Sequence, residues 1–130
     1  MQEVYAFLKQ AGVYYLATTE NGQPRVRPFG TIDLFDGRMY FQTGITKPVA
    51  QQMLADPRIE ISAMCGEKWL RIAARAIHDE NVPAQAHMLD QYPDLKAKYT
   101  AGDGYVAVFY LEDAVATISS FSEEDRVIRF

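Results

Sequence analysis

The chain has 130 residues, 48% of them hydrophobic, which fits a single folded domain spanning residues 1–130 and excludes a disordered chain. Seventeen acidic and 13 basic residues give a net charge of −4, which argues against a general nucleic-acid binder. A single cysteine, no signal peptide and no apolar run of about 20 residues predict a cytoplasmic protein with neither a nucleic-acid nor a membrane partner.

The first third of the chain has the pattern of a helix followed by a meander of three strands. The predicted elements are a helix at 2–11 and strands at 13–19, 24–35 and 38–42. Asn21-Gly22 and Asp36-Gly37 are typical of tight hairpin turns, because Asn, Asp and Gly tolerate positive φ. Pro24 and Pro28 lack an amide hydrogen, so the second strand is expected to have an edge or a bulge near Pro28.

The rest of the chain predicts further strands with short helices between them. Thr46 is the expected N-cap of a helix that runs to Ala55, with Pro48 in its first turn. Strands follow at 58–65 and 68–79, and after them a helix at 81–92 and a short helix or irregular segment at 93–99. The last two predicted strands, at 105–111 and 114–121, are joined at 112–113, and the chain ends in a tail at 126–130. Seven strands joined mostly by tight turns predict a mainly β fold, a small antiparallel β-barrel with short helices.

Hydrogen-bond donors suited to an anion are concentrated between residues 25 and 47. Arg25 and Arg27 lie two residues apart and share one face of a strand. A polar loop then opens a helix, with donors at Gln42, Thr43, Thr46 and Lys47. A guanidinium, an ammonium and a helix N-terminus all suit phosphate. The alternative interpretation is that both arginines are solvated charges on an edge strand.

The order of these elements and motifs resembles that of the pyridoxamine 5′-phosphate oxidase-like proteins, the FMN-binding split β-barrels. The motifs that carry the resemblance are A-T-x-x-x-G-x-P at 17–24, R-V-R-P at 25–28, Asp36-Gly37, the lysine loop at 42–47, Asp56-Pro57, W-L-R at 69–71 and Y-L-E-D-A at 110–114. Together they cover nearly the whole chain and are similar to the small, single-domain branch of that family.

The resemblance implies a homodimer with FMN at the subunit interface. It assigns the phosphate to Arg25 or Arg27, with Lys47 and the hydroxyl of Thr46. The residues it places at the cofactor are Arg25, Val26, Arg27, Pro28, Phe29, Gln42, Thr43, Thr46, Lys47, Gln51, Gln52 and Trp69. Of these, Trp69 is contributed by the partner chain, together with Arg71. Trp69 has an alternative role as a filler of the dimer interface.

The C-terminus departs from the oxidase pattern, because no tryptophan follows Trp69 and the chain ends in ISSFSEEDRVIRF. We therefore expect an FMN-dependent oxidoreductase acting on a small substrate, and not pyridoxamine phosphate oxidase activity. No catalytic residue is evident and no metal site is expected, since His78, His87 and Cys65 lack ligand spacing. The alternatives are a flavin carrier or sensor, or a haem- or deazaflavin-binding member of the fold, in which His78 or His87 would be an axial ligand.

Overall fold

The computed structural model describes residues 1–130 as an antiparallel sheet with four helices. The helices are α1 (Gln2–Ala11), α2 (Pro48–Ala55), α3 (Val82–Gln91) and α4 (Pro93–Lys96). The strands are β1 (Tyr14–Glu20), β2 (Gln23–Phe29), β3 (Asp33–Phe35), β4 (Arg38–Gly44), β5 (Arg58–Cys65), β6 (Lys68–Asp79), β7 (Val106–Ser119) and β8 (Arg126–Arg129). Their order is β2-β1-β5-β6-β7-β4-β3, and β8 pairs with β7. The predicted mainly β, antiparallel fold with short helices is confirmed.

Two hairpins form at the predicted turns. Asn21 and Gly22 have φ values of 51° and 81°, and Asp36 and Gly37 have φ values of 51° and 74°. Positive φ at both central residues matches the right-handed twist of the strands on either side. The first turn joins β1 to β2 and the second joins β3 to β4.

The predicted meander of three strands is wrong, because residues 24–35 are two strands with different neighbours. β2 pairs with β1 at one end of the sheet order, whereas β3 pairs with β4 at the other end. The segment Gly30–Ile32 crosses between these ends, and no ladder joins β2 to β4. We call this gap the seam. The edge predicted near Pro28 is confirmed, since β2 is a terminal strand of the sheet.

Two tyrosines, the buried Tyr14 and the partly buried Tyr92, stabilise the backbone at the seam in place of a neighbouring strand. The hydroxyl of Tyr14 donates to the carbonyl of Thr31 at 2.6 Å. The hydroxyl of Tyr92 accepts from the amide of Ile32 at 2.8 Å and donates to its carbonyl at 3.0 Å. Burial, and secondarily Tyr92, raises the pKa of the Tyr14 phenol well above its usual value, so the phenol remains a donor.

The C-terminal strands also differ from the prediction. Residues 106–119 form one strand, β7, and the expected turn at 112–113 is an irregularity within it. Asp113 has a φ of 53°, and the pairing with β6 shifts register between Ala73 and Arg75, as at a β-bulge. The expected tail contains β8, which pairs with Val115–Ile118.

The core lies inside the curved sheet and is covered at one end by α2. Leu16, Phe41, Ile61 and Leu70 are completely buried on the inner face. Helix α2 contacts β1, β4 and β6 and buries Met53 among them. The prediction of Thr46 as the N-cap is wrong, because α2 begins at Pro48 and its N-cap residue is Lys47, with no side-chain cap.

The opposite face of β2, β1, β5 and β6 carries large apolar side chains that remain in solvent. Tyr15 is 52% exposed, Val26 69% and Met64 64%. Met64 lies directly across from Trp69, whose ring packs on Phe121 at 5.1 Å. We call the face formed by Tyr15, Val26, Met64 and Trp69 the outer face. No helix of the chain has both the length and the apolar character needed to span a membrane.

Candidate functional site

A cavity of about 260 Å³ opens at the seam between β2 and β4. Its walls come from the end of β2 and the crossing segment, the end of β4 and the start of α2, and the chain from α4 to β7. The lining residues are Arg27, Pro28, Phe29, Gly30, Thr31, Gln42, Thr43, Gly44, Lys47, Val49, Leu95, Tyr99, Tyr105 and Val106. None of these is acidic, so the two cations of the wall face no carboxylate across the cavity.

Arg27 is held in place by neutral oxygens. Its guanidinium donates to Thr18 Oγ1 at 2.8 Å, to Gln52 Oε1 at 2.7 Å and to the carbonyl of Leu16 at 3.2 Å. It has no carboxylate partner within 4 Å, unlike Arg25, which pairs with Glu20 at 3.2 Å. Burial, followed by the charge of Arg25, lowers the pKa of Arg27. Arg27 is therefore a fixed, partly desolvated cation without a counter-ion.

Lys47 supplies the second cation where α2 begins. It has an extended backbone conformation, and its amide donates to the carbonyl of Gly44 at 3.0 Å. The side chain is exposed and forms no ion pair. The first turn of α2 contains no acidic residue that would neutralise the positive end of the helix dipole. Arg27, Lys47 and this helix end together make the cavity suited to an anion.

Two tyrosines form another part of the cavity wall. The rings of Tyr99 and Tyr105 are stacked, with centroids 5.8 Å apart and planes 20° apart. Tyr105 rests against Gly44, where a Cβ atom would lie 2.2 Å from its ring. The backbone amides of Tyr105 and Val106 each donate a hydrogen bond to Oδ1 of Asp103, both at 2.8 Å.

The loop that carries Tyr105 is anchored at both of its sides. The carbonyl of Tyr105 accepts from the amide of Ile45 at 2.8 Å, and the amide of Gly102 donates to Gln85 Oε1 at 2.8 Å. The amides of Val106 and then Tyr105 are the largest causes of the lowered pKa of Asp103. The aromatic wall is thus positioned by the backbone before any ligand arrives.

Gln42 is the buried polar residue of the cavity wall whose side chain lacks a partner. It is 9% exposed, and its Oε1 atom is buried without a hydrogen bond. Its hydrogen bonds outside the β-ladder are made by its backbone with the hydroxyl of Thr31.

Half of the residues predicted at the cofactor line this cavity. They are Arg27, Pro28, Phe29, Gln42, Thr43 and Lys47. They come from two segments that are separated in sequence and that the seam brings together.

The other predicted residues lie elsewhere. Arg25 and Thr46 are exposed outside the cavity, and Val26 and Trp69 belong to the outer face. Gln51 and Gln52 line a second, mainly polar cavity of about 400 Å³ together with Thr19, Glu20, Asn21, Gly22, Pro48, Ala55 and Asp56. Gln52 contacts the first site indirectly, through Arg27.

Eight of the residues that line the cavity were not predicted from the sequence. They are the wall formed by Leu95, Tyr99, Tyr105 and Val106, and the residues Gly30, Thr31, Gly44 and Val49. The aromatic residues that flank the glycine-containing loop at 101–104 were the available signal. Nothing local in the sequence indicates that this loop returns to the end of β4.

Comparison with known proteins now identifies the family. The family model described as pyridoxamine 5′-phosphate oxidase matches residues 1–122. The chain belongs to the pyridoxamine 5′-phosphate oxidase family. This family membership confirms the resemblance stated from the motifs. No curated protein sequence matches the chain.

Solved structures of this family's fold are similar over 82–100% of the chain. A NimC/NimA family protein from Clostridium acetobutylicum is 37% identical with a TM-score of 0.96, covering 100% of this chain and 92% of that one. A heme binding protein from Mycobacterium smegmatis is 16% identical with a TM-score of 0.71, covering 98% and 56%. An F420 reductase is 13% identical with a TM-score of 0.61, covering 82% and 90%. The last two show the fold alone.

Proposed function

We propose that this protein binds FMN in the seam cavity and acts as an FMN-dependent oxidoreductase on a small substrate in the cytoplasm. The observation that carries the proposal is the pairing of Arg27 and Lys47 in one cavity whose lining contains no carboxylate. FMN ends in a phosphate with close to two negative charges at neutral pH, which matches two unpaired cations beside a helix N-terminus.

The protein's role in this proposal is to bind and orient. Arg27, held by Thr18 and Gln52, offers a preorganised fork, whereas Lys47 offers a mobile point charge. FMN, when bound, supplies the hydride and electron chemistry. Accordingly, no acid or base of the chain is assigned a catalytic role, and the substrate is not pyridoxamine phosphate in this proposal.

The two histidines do not favour haem in this cavity. His87 Nδ1 is 2.5 Å from Asp33 Oδ2, and the ring of His78 packs on Phe109 at 5.1 Å. Neither residue lines the cavity that contains Arg27 and Lys47. Since structures with this fold are named both as a heme binding protein and as an F420 reductase, the choice of cofactor rests on the cavity residues.

A second copy of the chain is proposed to complete the site. A cavity of about 260 Å³ lies below the roughly 300–1,000 Å³ of pockets that enclose a ligand of this size. The outer face supplies an apolar surface with Tyr15, Val26 and Met64 more than half exposed. In the proposed homodimer this surface is buried, and Trp69 and Arg71 approach the cofactor of the partner.

Lys47→Ala is expected to weaken FMN binding at least about tenfold, because a charge-assisted hydrogen bond contributes roughly 1.5–3 kcal/mol. Arg27→Ala should have a similar or larger effect and should also lower stability, since it removes the donor to Thr18 Oγ1 and one of the two donors to Gln52 Oε1. The measurement is titration of the purified chain with FMN, followed by the visible absorption of the bound flavin.

Arg25→Ala is the matched control, because Arg25 lies on the same strand but pairs with Glu20 outside the cavity. Its affinity for FMN should stay within about threefold of the parent, in keeping with the small contribution of an exposed ion pair. Unchanged affinity in both cavity variants would overturn the phosphate assignment. A Soret band in place of a flavin spectrum would favour the haem alternative.

Met64→Glu is expected to dissociate the proposed homodimer. The interface of a symmetric dimer would then bury one new charge from each copy, raising the dissociation constant by at least about tenfold. Size-exclusion chromatography with light scattering gives the mass directly. Val82→Glu is the control, since Val82 is 46% exposed but lies at the start of α3, away from the outer face. A monomeric parent chain would contradict the proposal.

A further inference from the structure

A further cavity, of about 240 Å³, opens where the end of β6 meets the start of α3 and the loop at 102–104. We call it the β6–α3 cavity. It shares only Val106 with the seam cavity, so it is a separate site. An apolar pocket with a few polar groups is the usual form of a small-molecule site. The side chains that give this cavity that form are Ile45, Val82, Val106, His78, Glu80 and Gln85.

Gln85 presents an unused hydrogen-bond donor at this cavity. The residue is only 6% exposed, and its Oε1 atom accepts from the amide of Gly102 at 2.8 Å. Its Nε2 atom makes no hydrogen bond within the chain, yet it is not sealed from solvent as Oε1 of Gln42 is. The anchoring of the loop accounts for the oxygen of Gln85. It leaves the nitrogen free to donate to a molecule in the cavity.

Glu80 gives the cavity a negative charge without an internal counter-ion. It follows the last residue of β6, is exposed and forms no ion pair, whereas its neighbour Asp79 pairs with Arg38 at 3.7 Å. The side chain of His78 also makes no hydrogen bond, and its ring packs on Phe109. No lysine or arginine lines the cavity. Its charge is therefore opposite to that of the seam cavity, and it favours a cation.

These groups together define the chemistry of a complementary ligand. A carboxylate accepts from an ammonium group, and the amide nitrogen of Gln85 needs an acceptor oxygen. The apolar side chains suit a short branched hydrocarbon. Since a water-sized group takes roughly 30 Å³, the cavity has room for roughly eight non-hydrogen atoms.

We propose that the β6–α3 cavity binds a small primary amine that carries an acceptor oxygen on the neighbouring carbon, as in a 1,2-amino alcohol. The ammonium group pairs with Glu80, and the oxygen accepts from Nε2 of Gln85. This inference goes beyond the proposed function, because the cavity is separate from the seam and its ligand binds whether or not FMN is present.

The test uses valinol, a branched amino alcohol with about as many non-hydrogen atoms as the cavity admits. Titrated into the full, isotope-labelled chain without FMN, it should shift the nuclear magnetic resonance signals of the Gly102 backbone amide and the Gln85 side-chain amide. Saturation is expected with a Kd of about 1 mM or less. The analogue 3-methylbutan-1-ol, which lacks the amine, should bind at least about tenfold more weakly. The analogue 3-methylbutan-2-amine, which lacks the hydroxyl, should bind about threefold more weakly.

Glu80→Gln tests the charge with little change of shape. It should weaken valinol binding at least about tenfold and leave the affinity for 3-methylbutan-1-ol within about threefold of the parent. Glu67→Gln is the matched control, because Glu67 is an exposed glutamate that flanks the other end of β6. This variant should bind valinol as the parent does.

Three results would overturn the inference. If valinol causes no saturable shift up to about 20 mM, well above the expected Kd, the cavity holds water only. Shifts at Thr43 and Gly44 in place of Gly102 would locate the binding in the seam cavity. Equal affinities for valinol and both analogues, or a Glu80→Gln variant that binds valinol like the parent, would indicate unspecific apolar binding. FMN binding stands or falls separately from each of these results.

Discussion

Replacing His87 by alanine is expected to lower the free energy of unfolding by about 3 kcal/mol, a large fraction of the roughly 5–15 kcal/mol that stabilises a domain. Asp33 begins β3 with only 3% of its side chain exposed, and the imidazole of His87 is its sole hydrogen-bond partner, at 2.5 Å. Removing the imidazole leaves this buried carboxylate without its hydrogen-bond partner, and that loss of a partner costs more than the pair itself contributes.

The pair also fixes the position of α3. His87 lies on this helix and packs against Phe35 of β3, with ring centroids 4.9 Å apart. The same helix buries Ala84 and Met88 against Tyr40. Loss of the pair is therefore expected to loosen α3 from the edge of the sheet, next to the segment that forms the aromatic wall of the cavity.

A double-mutant cycle separates the charge from the packing. Asp33→Asn combined with His87→Ala removes the carboxylate but loses the same ring contacts with Phe35. The double variant should be more stable than His87→Ala alone by at least about 1 kcal/mol. Urea unfolding measures both values, and a midpoint lowered by about 1 M or more is expected for the single variant. Equal stability of the single and double variants would show that packing, not charge, is what His87 contributes.

The hairpins and most element boundaries were predictable because their signals are local. Asn21-Gly22 and Asp36-Gly37 fix two turns by their backbone conformations alone. Alternation of buried and exposed residues identified β5, where every second side chain from Ile59 to Ala63 is buried. Such patterns depend on a few adjacent residues and need no knowledge of the partner strand.

The seam was not predictable from these patterns, because strand pairing between distant segments has no local signature. Residues 24–35 look continuous, yet Gly30–Ile32 leaves one end of the sheet and joins the other. Its backbone is satisfied by the hydroxyls of Tyr14 and Tyr92, the latter 60 residues away from Ile32 in sequence. The strand β7 was split in the prediction for a related reason, since Asp113 looks like a turn residue but forms a bulge.

Only half of the candidate site was predictable, because part of its wall also depends on contacts between segments that are distant in sequence. The family motifs located Arg27 and Lys47, which the structure brings into one cavity. They did not separate Arg27 from Arg25, because two arginines on one strand face differ only in what surrounds them: Thr18 and Gln52 in one case, Glu20 in the other. The aromatic wall forms because the chain returns to the end of β4 at Tyr105, and no sequence motif indicates this return.

Gly44→Ala is expected to lower the free energy of unfolding by about 1–3 kcal/mol, the usual cost of overpacking. The new methyl group would lie 2.2 Å from Cζ and Oη of Tyr105, so the ring must move away from Gly44. Moving it breaks the stack with Tyr99 and changes the wall that faces Arg27 and Lys47. FMN affinity should fall with stability, and both are measured on the same sample.

Gly30→Ala is a sharp control for this effect, because Gly30 lines the same cavity. A Cβ atom there would meet only the carbonyl of Gly12, at 3.8 Å, which is an ordinary contact. Its stability should remain within about 0.5 kcal/mol of the parent.

A second cycle identifies the ring as the cause. In Tyr105→Ala the ring that would clash with the new methyl group is absent. Adding Gly44→Ala to this variant should therefore change the free energy of unfolding very little. If the methyl group is equally harmful with and without the Tyr105 ring, then Gly44 is needed for the backbone of β4 and not for the wall. If Gly44→Ala destabilises the protein only when the Tyr105 ring is present, then glycine is required at position 44 to make room for that ring. Position 44 would then serve to form the aromatic wall of the cavity.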